Sequence, residues 1–224
     1  MSAHPVIVVG GGFGGVYVTK ELLRRRIPVL LISKTNFFTF TPLLHEVATG
    51  SLLAHDITFE YESFFRDKRF AFLRGEVKKI DRKKKRVFVD DEPFSYRHLV
   101  LATGSTTNFY KVKGTKHAFV LKTVEDALAI KRAILSRAQS SSKEVTVTVV
   151  GGGPTGIELL FDIDLLLKSL SRKAPDTKYR LRLIHSRATY CHMDPEHPIQ
   201  NYIGRALKKA GVELVCGVYA TAIS

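Results

Sequence analysis

Two glycine-rich turns, each entered from a strand-like segment and left through a helical pattern, restrict the folds open to this chain more than any other feature. The first is Gly10-Gly11-Gly12-Phe13-Gly14-Gly15, directly after Val6-Ile7-Val8-Val9; the second is Gly151-Gly152-Gly153-Pro154-Thr155-Gly156, directly after residues 145–150. A short unbroken apolar run is the pattern of a parallel strand covered on both faces. Gly10, Gly12 and Gly15, and again Gly151, Gly153 and Gly156, stand at G-x-G-x-x-G spacing. The first glycine of such a set permits a tight turn, the second lets the main chain approach a pyrophosphate, and the third allows close helix-strand packing. The amides around Phe13 and Gly14, and around Thr155, then open a helix whose positive end favours an anion by about 0.3–1 kcal/mol. Pro154 suits a first helical position, where its missing amide hydrogen costs nothing. One such spacing is a weak sign; two, each in a strand-turn-helix context, predict two dinucleotide sites.

The remaining periodicity supplies that context. Val16, Leu23 and Ile27 recur at helical spacing over residues 13–26 until Pro28 stops the helix, and residues 29–32 form the next buried strand. This is a β-α-β unit with a right-handed crossover. Residues 70–80, 87–89 and 96–101 read as three strands of a meander joined by charged turns. A helix is expected from about Thr123, with Asp126 at its capping-box position, followed by a linker at Ser140, Ser141 and Ser142. Strand 145–150, helix 154–170, strand 179–184, helix 195–210 and strand 212–215 repeat the first unit's logic. The expected class is α/β, with two Rossmann-like dinucleotide-binding domains over residues 1–112 and 113–224.

At the end of the second strand such a fold usually carries an acid that binds a ribose hydroxyl. Here that position is Ser33 in the first unit and His185-Ser186-Arg187 in the second. A serine makes a neutral hydrogen bond of about 0.5–1.5 kcal/mol where a charged one gives about 1.5–3, so one contact is weakened by around tenfold in affinity. An arginine with neighbouring donors accommodates a 2′-phosphate that an acid would repel, so NADPH is expected to be accepted at least as well as NADH.

Bulk properties exclude several classes. With 45% hydrophobic and 25% charged residues in 224, the chain is neither disordered nor fibrous. The net charge of +14 divides evenly, 18 basic and 11 acidic residues in 1–112 and 17 and 10 in 113–224. An even field favours anionic ligands, whereas nucleic-acid binders concentrate charge, so no nucleic-acid partner is expected. Arg82-Lys83-Lys84-Lys85-Arg86 reads as a solvated hairpin turn. Cys191 and Cys216 form no C-x-x-C pair, which fits a reducing compartment and a cytoplasmic location. No stretch approaches the roughly 18 apolar residues of a membrane span. Cys191, His192, Asp194, Glu196 and His197 are ligand types, but no metal site is expected of them.

The segments IVVGGGFGG, FTFTPLLHEVATG, LVLATGS and VVGGGPTGIELL, in this order, resemble those of the type II NADH dehydrogenases, flavoproteins that reduce quinone, over residues 5–224. The resemblance implies FAD along the first domain and NAD(P)H on the second. Gly10, Gly12, Phe13, Gly14 and Gly15 would hold the FAD pyrophosphate, Ser33 and Lys34 its ribose, and Val77 the adenine by main-chain contact. Thr41 and Pro42 would lie beside the isoalloxazine, with Ala102-Thr103-Gly104 bordering the flavin chain. Gly151, Gly153, Pro154, Thr155, Gly156 and Glu158 would form the nicotinamide side, with Glu158 positioning the ring or relaying a proton unless it is simply a helix carboxylate. His45 and Glu46 read equally as packing or chemistry. The implied reaction moves hydride from nicotinamide to flavin and then two electrons to a quinone. The resemblance further implies a fragment ending before the family's chain returns to complete both domains. FAD would then be weakly held, and a membrane surface would be met through a region beyond Ser224, at the cytoplasmic face; homodimerisation stays open. A ferredoxin- or rubredoxin-reductase-like flavoprotein and a non-catalytic nucleotide-binding fragment are the alternatives. A disulfide reductase would need a cysteine pair near residues 37–50, which is lacking.

Overall fold

The computed structural model describes residues 4–139, 144–172, 177–191 and 193–223. The serine linker at Ser140–Ser142 lies outside the described residues. In chain order the elements begin with β1 (His4–Val9), α1 (Phe13–Arg24), β2 (Val29–Ser33), β3 (Phe37–Thr39), a 3-10 turn (Thr41–Leu43) and α2 (Leu44–Thr49). A second 3-10 turn (Ala54–Ile57), β4 (Thr58–Glu60), α3 (Tyr61–Phe64), β5 (Phe70–Arg74), β6 (Val77–Asp81), β7 (Arg86–Val89) and β8 (Glu92–Leu101) follow. The chain closes with a third 3-10 turn (Thr115–His117), α4 (Val124–Gln139), β9 (Glu144–Val150), α5 (Pro154–Ser171), β10 (Lys178–His185), α6 (Pro198–Lys209) and β11 (Glu213–Cys216). These segregate into two compact units, residues 1–40 with 55–106, and residues 41–54 with 107–224.

In the first unit the strand order is β5-β2-β1-β8-β7-β6. β1 pairs in parallel with β2 and with the far half of β8, and β2 with β5. Alternation along β1 explains why its whole run is apolar. Val6 and Val8 join Leu23, Tyr61 and Phe65 in one core, while Ile7 and Val9 join Leu30, Ile32, Val87 and Val89 in another. The sheet is thus covered by α1 and α3 on one face and by the meander on the other. β8 serves both layers, pairing antiparallel with β7 at Glu92–Ser95 and in parallel with β1 from Tyr96 onward. The stretch 70–80, expected as one strand, is two: it breaks at Gly75 and Glu76, β5 going to β2 and β6 to β7. Apolar spacing continues across the break, so the exchange of partner is invisible to periodicity. Arg82–Lys85 form the turn between β6 and β7, where Asp81 accepts from the Lys84 amide at 2.9 Å.

In the second unit β9, β10 and β11 form a parallel sheet in the order β11-β10-β9. Leu160, Ile163 and Leu167 of α5 are buried, as are Leu181 and Leu183 of β10. Leu44, Val47, Ala48 and Thr49 of α2 are also buried, and this six-residue helix packs on α4 and α5. α4 begins at the expected capping box: the Asp126 amide donates to Thr123 Oγ1 at 3.1 Å and Asp126 Oδ2 accepts from the Thr123 amide at 2.9 Å. α6 begins at Pro198 rather than 195, with His197 as its cap.

Candidate functional site: two glycine turns and a histidine-carboxylate cluster

Both strands beside β1 hold the first turn. The Gly10 amide donates to Ile32 O at 2.8 Å, and the Ala102 amide to Val9 O at 2.8 Å. Gly10 sits at φ +105°, and a Cβ there would lie 2.2 Å from Ala102 O. A Cβ on Gly15 would lie 1.8 Å from Gly10 O, so the first turn of α1 rests directly on the loop that precedes it. Gly12 differs: its φ and ψ of −78° and −167° suit any residue, and a Cβ there would meet nothing within 4 Å. Two of the three motif glycines are therefore required by the protein's own packing, and the third faces open space.

The second turn repeats this arrangement. The Gly151 amide donates to Ile184 O at 2.9 Å at φ +116°, and a Cβ on Gly156 would lie 2.0 Å from Gly151 O. Gly153, like Gly12, is extended, with φ −73° and ψ 174°. Neither α1 nor α5 has a side-chain cap or an acid in its first turn, whereas α4 and α6, the other helices of 12 residues or more, are capped. Among the described residues, the long helices with bare N-terminal donors are thus those that follow the glycine turns, the arrangement that binds an anionic group.

The glycine between the first two motif positions carries a function that spacing alone hides. A Cβ on Gly11 would fall 1.8 Å from Tyr61 Oη, and that hydroxyl donates to Gly11 O at 2.7 Å. Tyr61 is 1% exposed; burial pushes its hydroxyl up, with hydrogen bonding to Ser33 and Thr35 drawing it partly back. In the second turn a histidine takes the tyrosine's place. The Gly152 amide donates to His185 Nδ1 at 3.0 Å, which leaves Nε2 as the protonated nitrogen, donating to Thr189 O at 2.9 Å. His185 is buried and turned inward as a brace for the turn, while Ser186 is half-buried and Arg187 exposed.

At the end of β2, Ser33 O accepts from the Gly75 amide at 2.9 Å, and Lys34 Nζ lies 2.7 Å from Glu76 Oε1. Hydrogen bonds from Lys34 and then Lys78 hold the Glu76 carboxyl down at about 2. The carboxylate lacking at position 33 is thus present at the same strand end, arriving from the start of β6. Val77 is half-buried in the meander core, and Ala102, Thr103 and Gly104 continue β8, the last two exposed. Thr41 and Pro42 are exposed in the 3-10 turn of the second unit.

Glu158 lies on α5 just past the glycine turn, its side chain 52% exposed. One helical turn on, Asp162 Oδ2 sits 2.7 Å from His45 Nδ1, and Glu158 Oε2 is 3.7 Å from Nε2 of the same ring. Cys191, whose amide donates to Gly152 O at 2.7 Å, has its thiol pushed up by burial and then by the Glu158 charge. No group of three or more His, Cys, Asp or Glu among the described residues is arranged to hold a metal ion; His192 lies outside them.

The sequence model of the family described as pyridine nucleotide-disulphide oxidoreductase matches residues 4–224. A type II NADH:quinone oxidoreductase, NdhA, of Mycobacterium tuberculosis is 31% identical over 98% of this chain and 51% of its own length. An external alternative NAD(P)H-ubiquinone oxidoreductase, B4, mitochondrial, of Arabidopsis thaliana is 31% identical over 76% of this chain and 33% of its own. The chain therefore spans about half or less of these relatives. A solved structure of NDH2 from Plasmodium falciparum, in complex with RYL-552, superposes with a TM-score of 0.90 at 23% identity, covering all of this chain and 49% of the other, which establishes the shared fold.

Proposed function

The chain belongs to the pyridine nucleotide-disulphide oxidoreductase family, and from that membership we propose that it is the two-nucleotide part of an FAD-dependent NAD(P)H:quinone oxidoreductase. The observation that carries this reading is the pair of uncapped helix starts, each behind a glycine turn that ends in an extended glycine. Residues 1–112 take FAD in this reading, with Gly12, Phe13, Gly14 and Gly15 offering main-chain donors to its pyrophosphate. Lys34, Glu76 and Ser33 flank its ribose, and Val77 and Ala102-Thr103-Gly104 border its length, with Thr41 and Pro42 toward the ring. Residues 113–224 take NAD(P)H at Gly153, Pro154, Thr155 and Gly156. Glu158 orients the nicotinamide or handles its proton. FAD, when bound, supplies an acceptor for hydride and a donor of two electrons to the quinone.

Arg187, exposed beside Ser186 with no acid at that strand end, supports use of NADPH at least as readily as NADH. His185 contributes by bracing the turn that the pyrophosphate meets. The quinone in the relatives' names, a lipid-soluble acceptor, supports a membrane surface as a further partner. The experiment is direct: the purified chain, supplied with FAD, NADPH or NADH, and a short-chain quinone, is followed at the absorbance of the reduced nicotinamide. Quinone-dependent oxidation is the expected result; nucleotide binding with no oxidation would leave only a binding module, and specificity constants favouring NADH a hundredfold would discard the NADPH preference.

A further inference from the structure

We propose that His45, braced by Asp162, is the proton-exchange partner of Glu158, so that the segment carrying α2 contributes a positioning residue to the nicotinamide side of the second unit. This rests on the nucleotide reading above and extends it to residues that no glycine motif includes. The Asp162 Oδ2 to His45 Nδ1 distance of 2.7 Å puts the ring proton on Nδ1, since a carboxylate there can only accept. Nε2 then faces Glu158 Oε2, 3.7 Å away, as the ring nitrogen through which a proton can be exchanged. That separation is closed by a small rotamer change or a bridging water, as is common at proton-transfer sites before substrate arrives.

Exposure grades along the same line. The side chains of His45 and Asp162 are 13% and 20% exposed and that of Glu158 52%, so protons enter from solvent at Glu158 and are held further in. The step balances simply: the Glu158 O–H bond breaks, an N–H bond forms at Nε2, and the imidazolium charge is compensated by Asp162 while the Glu158 carboxylate is regenerated. The reverse step returns the proton when the outer carboxylate is consumed. Among the described residues, Glu46 follows His45 on α2, Lys131 of α4 reaches Gly50 at the end of that helix, and the Glu158 charge acts on the Cys191 thiol.

Histidine-15N NMR on the 224-residue chain, with His45 assigned by H45N, reads the geometry without any cofactor. The expected spectrum has Nδ1 as the nitrogen that keeps its proton when the ring is neutral, with that preference lost in D162A; a neutral ring protonated on Nε2 alone overturns the proposal. With FAD, NADPH and a short-chain quinone, H45N is expected to lower kcat by about tenfold, below the range of a direct acid-base group because His45 acts through Glu158. The KM for NADPH should stay within about twofold, one limb of the pH profile should be lost, and H45N should add nothing to E158Q. A folding role would instead lower KM performance, yield and melting temperature together. Activity in H45N equal to wild type at every pH overturns the relay alone; a chain that neither binds nor oxidises NAD(P)H overturns the nucleotide reading and the relay with it.

Discussion

At the scale of single residues, the two turns depend on side chains that are far away in sequence. Tyr61 is 50 positions from Gly11 and His185 is 33 from Gly152, yet each supplies the hydrogen bond that fixes the middle glycine. Tyr61→Phe keeps the packing and removes that bond, so it should cost about 1 kcal/mol in urea unfolding and weaken FAD severalfold; unchanged values for both would remove the brace from the account. Glu76 makes a pH prediction. Its folded-state carboxyl is depressed to about 2 by Lys34 and Lys78, so its contribution is present above the ordinary carboxylate range and is lost as pH falls toward about 2. Urea midpoints from about pH 5 down to about pH 2 should fall less steeply in Glu76→Gln than in wild type, Asp67 beside Arg69 contributing to both over the same window. The residues legible in the sequence were the motif glycines, because the positive φ of Gly10 and Gly151 and the contact of Gly15 and Gly156 with the turn just before them are local constraints. Ser33 was legible as a missing acid, but Glu76 was not, because only the pairing of β5 with β2 brings it beside Lys34. His185 was visible as a polar residue at the ribose position, while the direction of its ring is set by tertiary structure.

At the scale of elements, buried parallel strands and long amphipathic helices announced themselves because each carries its own period. α4 illustrates a boundary that sequence fixes well: Thr123 and Asp126 satisfy each other's amides. Thr123→Ala should destabilise the chain by about 1 kcal/mol, within the 0.5–2 typical of such caps, and thermal unfolding of the variant would show it; no loss would mean that α4 is held by packing alone. α2 marks the opposite case. Six residues cannot form a stable helix in isolation, so its conformation comes from burying Leu44, Val47 and Ala48 against α4 and α5, partners more than 70 residues on. The same distance hid the His45 to Asp162 contact, which spans 117 positions. The split of residues 70–80 into β5 and β6 was hidden for a related reason, since strand partner is a property of the sheet and not of the strand.

At the scale of the molecule, each unit contains a copy of one device: a parallel strand, a glycine turn, a braced middle glycine and a helix with uncapped donors. The charge of +14, spread over both halves, supplies an anion-favouring field around them. The most direct measurement is a titration of FAD and of NADPH into the wild-type chain, Gly12→Asp and Gly153→Asp. Both positions have extended backbone that accepts aspartate, and at a helix N-cap that residue also satisfies the bare donors, so folding is retained. A carboxylate in the anion's place should weaken the bound pyrophosphate by about 100-fold or more. Gly12→Asp should lose FAD and keep NADPH, and Gly153→Asp should lose NADPH and keep FAD; folded variants that bind both nucleotides as tightly as wild type would contradict the two-site reading.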